Sequence, residues 1–457
     1  MSKQLIYILI AILGLAITFF TTSVHFDIKS IGVMAFFLVF IPTLIEPNIG
    51  LVIIIISTLF SPEMIVGTTS TREITIRVED IFLLVVILAW FMRAVLTKNV
   101  AAIFRTKLTG PFFAYIFVCI LSTAFAAMSG QIDLAHSSFA ILKYFEYFLL
   151  FLIVGDNMRS LEQAKLFVLI FLLTALFVSI SSNIYIREQV EMGTAFFRTA
   201  PPVETRGGGE AGTLGGYLLF IMAIAAGLLY YMQLPLPKIF LAGSLILMFR
   251  AFLYTLSRGS YLAILPMIAA FIFFSRKIIL ICAIIAGLIL LAIFMPTMIK
   301  NRIVQTVTIQ EDVGGPSVQL EESPRNRLQS WKDVLLVRVP ASPIFGHGVG
   351  RFFIDGQIFL TLSETGLLGL FLSLWIIAIL FKEAINVFAM EIVRNNGFSA
   401  GLSLGFLTGF IGLVAQALST NTFIIIRIME PFWFMAAIVV ALPRLLKQET
   451  AIQENAG

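Results

Sequence analysis

Six ionisable side chains lie inside long apolar runs: Lys143, Glu146, Arg250, Glu364, Arg427 and Glu430. Within a bilayer each costs ~2.5–3.5 kcal/mol on insertion scales, so such residues are functional suspects by default. A guanidinium fork binds phosphate oxygens in a bidentate manner and stays charged in low dielectric. Arg250, Arg258 and Lys143 therefore suit either a lipid-borne diphosphate or a transported anion. Arg258 follows Arg250 by eight residues in one run, a spacing that nearly restores the helical azimuth and predicts that both face one cavity. Lys143 with Glu146, and Arg427 with Glu430, stand at i,i+3 and have a second reading as ion pairs that weld helices together.

Other basic residues fall into two groups. Short loops carry Arg93, Lys98, Arg105, Lys107, Arg159, Lys165, Arg276, Lys277, Lys382, Arg394, Arg444 and Lys447. With the N-terminus inside, these loops obey the positive-inside rule. Longer polar segments near 183–211 and 297–353 then lie outside, and they carry Arg187, Arg198, Arg206, Arg302, Arg325, Arg327, Arg338 and Arg351. These arginines read either as solvated loop charges or as part of an outward-facing anion site.

The elements that must position these residues follow from composition. A chain of 457 residues that is 59% hydrophobic and 12% charged, with 44 Phe, cannot cover a soluble globule with polar surface. Disorder and a disulfide-stapled secreted domain are excluded on the same ground. Apolar runs from end to end also exclude a soluble enzyme with one anchor. The hydropathy pattern predicts an all-α fold: a polytopic transmembrane helical bundle of about 12–14 spans, with a large external loop containing short helices. Spans are expected near 5–22, 31–45, 49–61, 80–97, 110–127, 138–155, 164–182, 212–231, 238–256, 259–274, 278–296, 354–381, 399–418 and 423–443. Residues 1–457 read as a single membrane domain. The opening MSKQ and the apolar run behind it read as a retained first helix. Cys119 and Cys282 read as small core hydrophobes, and the absence of a polybasic tail argues against a nucleic-acid partner. In the large loop, Ser323-Pro324 predicts a helix start and Pro340 its end. Leu328, Trp331 and Leu335 share a face of that helix, which is expected to lie on the membrane or the bundle mouth.

Several stretches, together spanning about 200–370, resemble the O-antigen polymerase and O-antigen ligase superfamily. Thr255-Leu256-Ser257-Arg258-Gly259-Ser260-Tyr261 is similar to its Ser-Arg-Gly turn between two central helices. Arg327-Leu328-Gln329-Ser330-Trp331, followed by Pro343-Ile344-Phe345-Gly346-His347-Gly348-Val349-Gly350, is similar to its external-loop pattern. Asp355-Gly356-Gln357, continuing into Leu362-Ser363-Glu364-Thr365-Gly366, resembles the helix that returns from that loop, and Tyr217 fits the helix after the first external loop. Ligases of the superfamily carry a His-Asn pair at the start of the return helix. This chain has Asp355-Gly356 there, so the resemblance leans towards the polymerases.

The resemblance implies glycosyl transfer outside a bacterial cytoplasmic membrane, from an undecaprenyl-diphosphate-linked oligosaccharide to a hydroxyl of an acceptor glycan. It implies no cofactor and no metal. Arg258 is the leading candidate for stabilising the departing diphosphate, with Arg206 and Arg327 beside it and Arg250 behind. Asp355 is the first candidate base, then His347 or Glu364. Arg325, Arg338 and Lys143 are candidate contacts to glycan or diphosphate. The lipid bilayer, a flippase and a chain-length regulator are candidate partners. Competing readings are a ligase acting on lipid A core or another acceptor, and, in a different class, a polysaccharide transporter or lipid flippase, for which paired halves and polar residues on both leaflets are expected.

Overall fold

In the computed structural model, the residues described are 39–61, 63–68, 73–96, 106–130, 132–194, 196–202, 211–276, 298–300, 307–312, 315–320 and 322–456. The spans expected at 5–22 and 278–296, most of that at 31–45, and the candidate Arg206 lie outside them. The helices, in chain order, are α1 (Ile41–Ile45), α2 (Pro47–Phe60), α3 (Val78–Leu96), α4 (Thr109–Met128), α5 (Leu134–Asn157), α6 (Leu161–Glu191), α7 (Ala211–Tyr231), α8 (Pro235–Leu253), α9 (Arg258–Ser275), α10 (Glu322–Asp333), α11 (Gln357–Ala389), α12 (Gly397–Gln416) and α13 (Ile426–Ala456). Among the described residues, nine helices (α4 to α9 and α11 to α13) are long and apolar enough to cross a membrane. The chain is an all-α polytopic bundle.

Two of the expected spans fall short of that standard. At 14 residues, α2 reaches ~21 Å against a hydrocarbon core of ~30 Å. The other, α3, carries Glu79, Asp80 and Arg93. The sequence also gave no sign of two small antiparallel hairpins, β1 (Glu63–Thr68) with β2 (Glu73–Arg77) and β3 (Val307–Asp312) with β4 (Gly315–Leu320). Both sit in connections between helices, where β-branched residues interleaved with polar ones favour local pairing.

Helix starts follow side-chain caps. Asp133 accepts from the N–H groups of Ala135 and His136, Ser160 from Gln163, Ser257 from Ser260 and Asn396 from Ser399. Between α8 and α9 the chain breaks at 254–257, with Leu256 in the left-handed region at φ 53°. Arg250 and Arg258 therefore belong to two helices, and the shared azimuth expected from their spacing does not exist. The loop helix starts at Glu322, one residue before the expected Ser323. It continues beyond α10 as a π-helical turn, Val334–Arg338, and ends at Ala341.

Small residues bring α7 and α12 into backbone contact at the bundle centre. A Cβ built on Gly227 would lie 2.3 Å from the Gly401 carbonyl oxygen, and one on Gly405 would lie 2.5 Å from the Ile224 Cα. Close approach of this kind suits membranes, where packing and polar contacts replace the hydrophobic driving force between helices. Backbone on both sides cannot yield, so Gly405→Ala is expected to destabilise by about 1–3 kcal/mol. Thermal unfolding in detergent should show a lowered midpoint for Gly405→Ala. Gly243→Ala, where a Cβ meets nothing within 4 Å, should match the unmodified protein.

Candidate functional site

Seven helix ends meet at one end of the bundle: the starts of α7, α9, α11 and α13 and the ends of α6, α8 and α12. The basic residues of the short loops, among them Arg93, Lys107, Arg159, Lys382 and Arg444, lie at the opposite ends of their helices. At the first end a polar cavity of about 370 Å3 opens, a size within the ~300–1,000 Å3 of ligand sites. Arg198, Arg258, Arg327 and Asp355 line it with Gly212, Ser257, Gly259, Thr420, Asn421, Phe196 and Phe353. Among the described residues, three cations stand against one carboxylate.

Each of these side chains is held by a definable device. Arg258 opens α9 directly after the Ser257 cap, and a Cβ on Gly259 would lie 2.4 Å from the Ser419 hydroxyl, so the 417–425 segment sits on the start of α9. Arg198 is carried by a short stretch tied to the end of α8: Thr199 donates its N–H to the Tyr254 carbonyl at 2.9 Å and its hydroxyl to the Ala251 carbonyl at 3.0 Å. Arg327 projects from α10, and its Nε donates to Asp355 Oδ2 at 2.7 Å. Trp331, one turn on, donates its indole N–H to the Asp355 carbonyl at 2.6 Å and stacks on Phe359 with centroids 4.6 Å apart. Trp331 thus locks the loop helix to the start of α11, while Leu335-Leu336-Val337 form an exposed apolar run.

Three hydrogen bonds fix the start of α11 against the α12–α13 connection. The Gln357 N–H donates to the Ala417 carbonyl at 2.8 Å, the Phe423 N–H to Gln357 Oε1 at 3.0 Å, and Asn421 Nδ2 to the Ile354 carbonyl at 2.8 Å. Gly356, at φ 98°, makes the turn that lets Asp355 face the cavity immediately before the helix begins.

The other expected site residues that the structure describes do not line the cavity. Lys143 is held by Asp80 at 2.5 Å and Glu146 at 2.6 Å. Near them Arg77 pairs with Glu79, Thr58 donates to Glu430 and Arg427 donates to the Ser61 carbonyl. Lys143 and Glu146 thus form the ion pair of the welding reading, while Glu430 is bound by Thr58 and Arg427 reaches Ser61, and these contacts join α2, α3, α5 and α13. Arg250 donates to Asn183 Oδ1 on α6 at 2.9 Å and lies by the Tyr254 ring. Arg325 is exposed on α10.

His347 and Glu364 serve the glycine-rich turn. The Glu364 side chain is buried and accepts the Gly350 N–H at 2.7 Å, while its backbone carbonyl accepts from the Gly348 N–H and the Ser122 hydroxyl. His347 Nε2 lies 2.9 Å from the Arg338 carbonyl, and its ring meets Phe352 edge-on. Arg338 stacks on Phe352 at 3.8 Å and donates to the Ser363 hydroxyl. Burial and neighbouring Arg351 hold its guanidinium below the usual arginine range, against the pull of Asp333.

The sequence marked Arg198 as one of the outer-loop arginines without singling it out, and Thr420 and Asn421 were not among the expected site residues. Their signal was the polar run Ser419-Thr420-Asn421-Thr422 between two apolar spans.

The hydrogen bond to Gly350 can be accepted equally by an amide oxygen. Glu364→Gln is therefore expected to keep most activity and folded yield, whereas Glu364→Ala should lower the unfolding temperature. A loss of activity beyond ~100-fold in the Gln variant, with stability unchanged, would make Glu364 a proton-transfer group after all.

Residues 243–358 match the family model described as O-antigen ligase. That segment contains Arg258, Arg327 and Asp355 of the cavity. No curated protein matches the chain. The match agrees with the resemblance read from the motifs, gives no support to a transporter, and supports a glycosyl-transferring enzyme in general. The segment 243–358 is thus similar to the O-antigen ligase family, set in a multi-pass membrane bundle, in agreement with the resemblance to the O-antigen polymerase and ligase superfamily.

Proposed function

We propose that the protein polymerises undecaprenyl-diphosphate-linked oligosaccharide repeat units at the outer face of the bacterial cytoplasmic membrane. The observation that carries this reading is the convergence of Arg198, Arg258, Arg327 and Asp355 on one cavity, at the end of the bundle opposite the basic short loops. By the positive-inside rule that end faces outward. A second, smaller cavity of about 130 Å3, almost wholly apolar, lies on the other side of the 417–423 segment. Phe112, Tyr115, Ile376, Leu380 and Trp433 help to line it, and such walls suit part of a polyprenyl chain.

In the proposed step the acceptor hydroxyl oxygen forms a bond to the donor sugar C1. The bond from C1 to the phosphate oxygen breaks, and its electron pair stays on the departing lipid diphosphate. The guanidinium groups of Arg258 and Arg198 stabilise that charge. The hydroxyl proton passes to the Asp355 carboxylate, which Arg327 orients through the 2.7 Å ion pair. Of the three candidate bases, Asp355 is the one that lines the cavity.

The second reading is a ligase, favoured by the description of the matched family. Acceptor choice separates the two. Purified protein in liposomes, given lipid-linked repeat units, is expected to yield a ladder of longer glycans and free lipid diphosphate. A single transfer to lipid A core without a ladder would identify a ligase, and movement of intact lipid across the bilayer without consumption would overturn both. Arg258→Ala should abolish the ladder with protein abundance unchanged. Arg258→Lys should lose at least ~10-fold, because an ammonium lacks the bidentate fork.

A further inference from the structure

The segment that follows α10 lies below the mouth of the bundle. In the glycine-rich turn the His347 N–H donates to the Ser363 carbonyl at 3.0 Å, the Gly348 N–H to the Ser122 hydroxyl at 3.0 Å and the Val349 N–H to the Thr123 hydroxyl at 3.2 Å. Helix α4 runs for 20 residues, or ~30 Å, the thickness of a hydrocarbon core. Ser122 comes ~9 Å before its last residue, Met128, so the turn is set well inside that end of α4. The π-helical turn Val334–Arg338 keeps the same level, because Arg338 donates to the Ser363 hydroxyl at 3.4 Å. Of this π-helical turn only Val334 is buried; Leu335, Leu336 and Val337 are exposed, and so is Ile344 in the glycine-rich turn. Arg338 and Arg351 both lie over the Phe352 ring, their guanidinium carbons 3.8 and 4.8 Å from its centroid. One ring thus gathers two like charges. Among the described residues Arg338 makes that single hydrogen bond and no ion pair, which leaves most of its N–H donors for another group.

A guanidinium beside hydrocarbon is costly unless an anion meets it or its stem carries it to the interface. We infer that Arg338 and Arg351 bind the phosphate of an anionic phospholipid of the outer leaflet, whose acyl chains lie along Leu335, Leu336, Val337 and Ile344. Arg338 follows Val337 directly, so charge and exposed apolar surface adjoin, a combination that suits an amphiphile better than a soluble anion. The apolar run is an open strip, and it fits a lipid of the surrounding bilayer. This site stands apart from the cavity and does not depend on the glycosyl-transfer reading. It bears on the cavity through α10, whose Arg327 and Trp331 hold Asp355, so a phospholipid bound just beyond α10 steadies one wall of it.

The test is native mass spectrometry of the full chain released from liposomes made of equal parts phosphatidylcholine and phosphatidylglycerol. The unmodified protein should retain phosphatidylglycerol in preference to phosphatidylcholine. Arg338→Gln and Arg351→Gln should each lower the retained phosphatidylglycerol about 5-fold, the ratio for one basic residue at an anionic surface. Arg325→Gln, which removes an exposed arginine from α10, should retain it in full. Should Arg338→Gln fail to fold, Arg351→Gln decides, since it leaves the bond from Arg338 to Ser363 in place. No preference for phosphatidylglycerol, or an equal loss in Arg325→Gln, would overturn the site. Added undecaprenyl diphosphate should leave the retained phosphatidylglycerol unchanged; its displacement would assign the two arginines to a second substrate lipid and overturn the phospholipid. Failure of the protein to transfer sugar would overturn the proposed reaction and leave this result standing.

Discussion

A single buried carboxamide, that of Gln416, ties together the elements on which the cavity depends. Its Nε2 donates to the Gly212 carbonyl at 2.9 Å and to the Ser260 hydroxyl at 3.0 Å, and its Oε1 accepts from the Thr422 hydroxyl. Those three contacts join the start of α7, the first turn of α9 and the α12–α13 connection. Glycine makes room for them, since a Cβ on Gly216 would lie 2.4 Å from Gln416 Oε1 and one on Gly215 2.4 Å from the Ser260 hydroxyl. In a medium without water a buried amide must find partners inside the protein, and satisfying this one fixes where Arg258 and Asn421 stand.

The glycine-rich turn is a second fixed point, built on a break in a helix. At Gly366, φ 66°, α11 leaves helical geometry, and a Cβ there would lie 2.3 Å from the Ile344 carbonyl. Gly346, Gly348 and Gly350 all adopt positive φ, so the turn can lie against α11. Glu364, Ser122 and Thr123 then bind its N–H groups. A carboxylate placed deep in the membrane domain is here a hydrogen-bond acceptor for backbone. The functional suspicion that attaches to such a residue is met by architecture, and the cavity draws its carboxylate from Asp355 at the helix mouth.

The same logic separates the two sets of charges. Lys143 is paired with both Asp80 and Glu146, and Arg77 lies 3.5 Å from Glu79, among α3, α5 and the β2 strand end. Charges in low dielectric are stable only when paired with good geometry, and removing one partner is more damaging than never having the pair. Such a weld holds helices in register. The cavity, open at the bundle end, can keep an excess of guanidinium groups because solvent reaches it.

Much was legible in the sequence. The apolar fraction fixed an all-α membrane bundle, the basic short loops ordered its two ends, and Arg258, Arg327 and Asp355 stood out by residue type and motif. What sequence could not decide was which charges face each other, because that depends on breaks smaller than a hydropathy window. The left-handed Leu256 sends Arg250 towards Asn183 and Arg258 towards the cavity, although eight residues of unbroken helix would have aligned them. Likewise Thr420 and Asn421, more than two hundred residues from Arg198, reach the same cavity only because α7 and α12 touch backbone to backbone. Composition and spacing determined the solvent this chain folds in and the chemistry it carries. Tertiary packing alone decided which of its charges are consumed in holding helices together and which remain to meet a substrate, because pairing is set by distance in space and not along the chain.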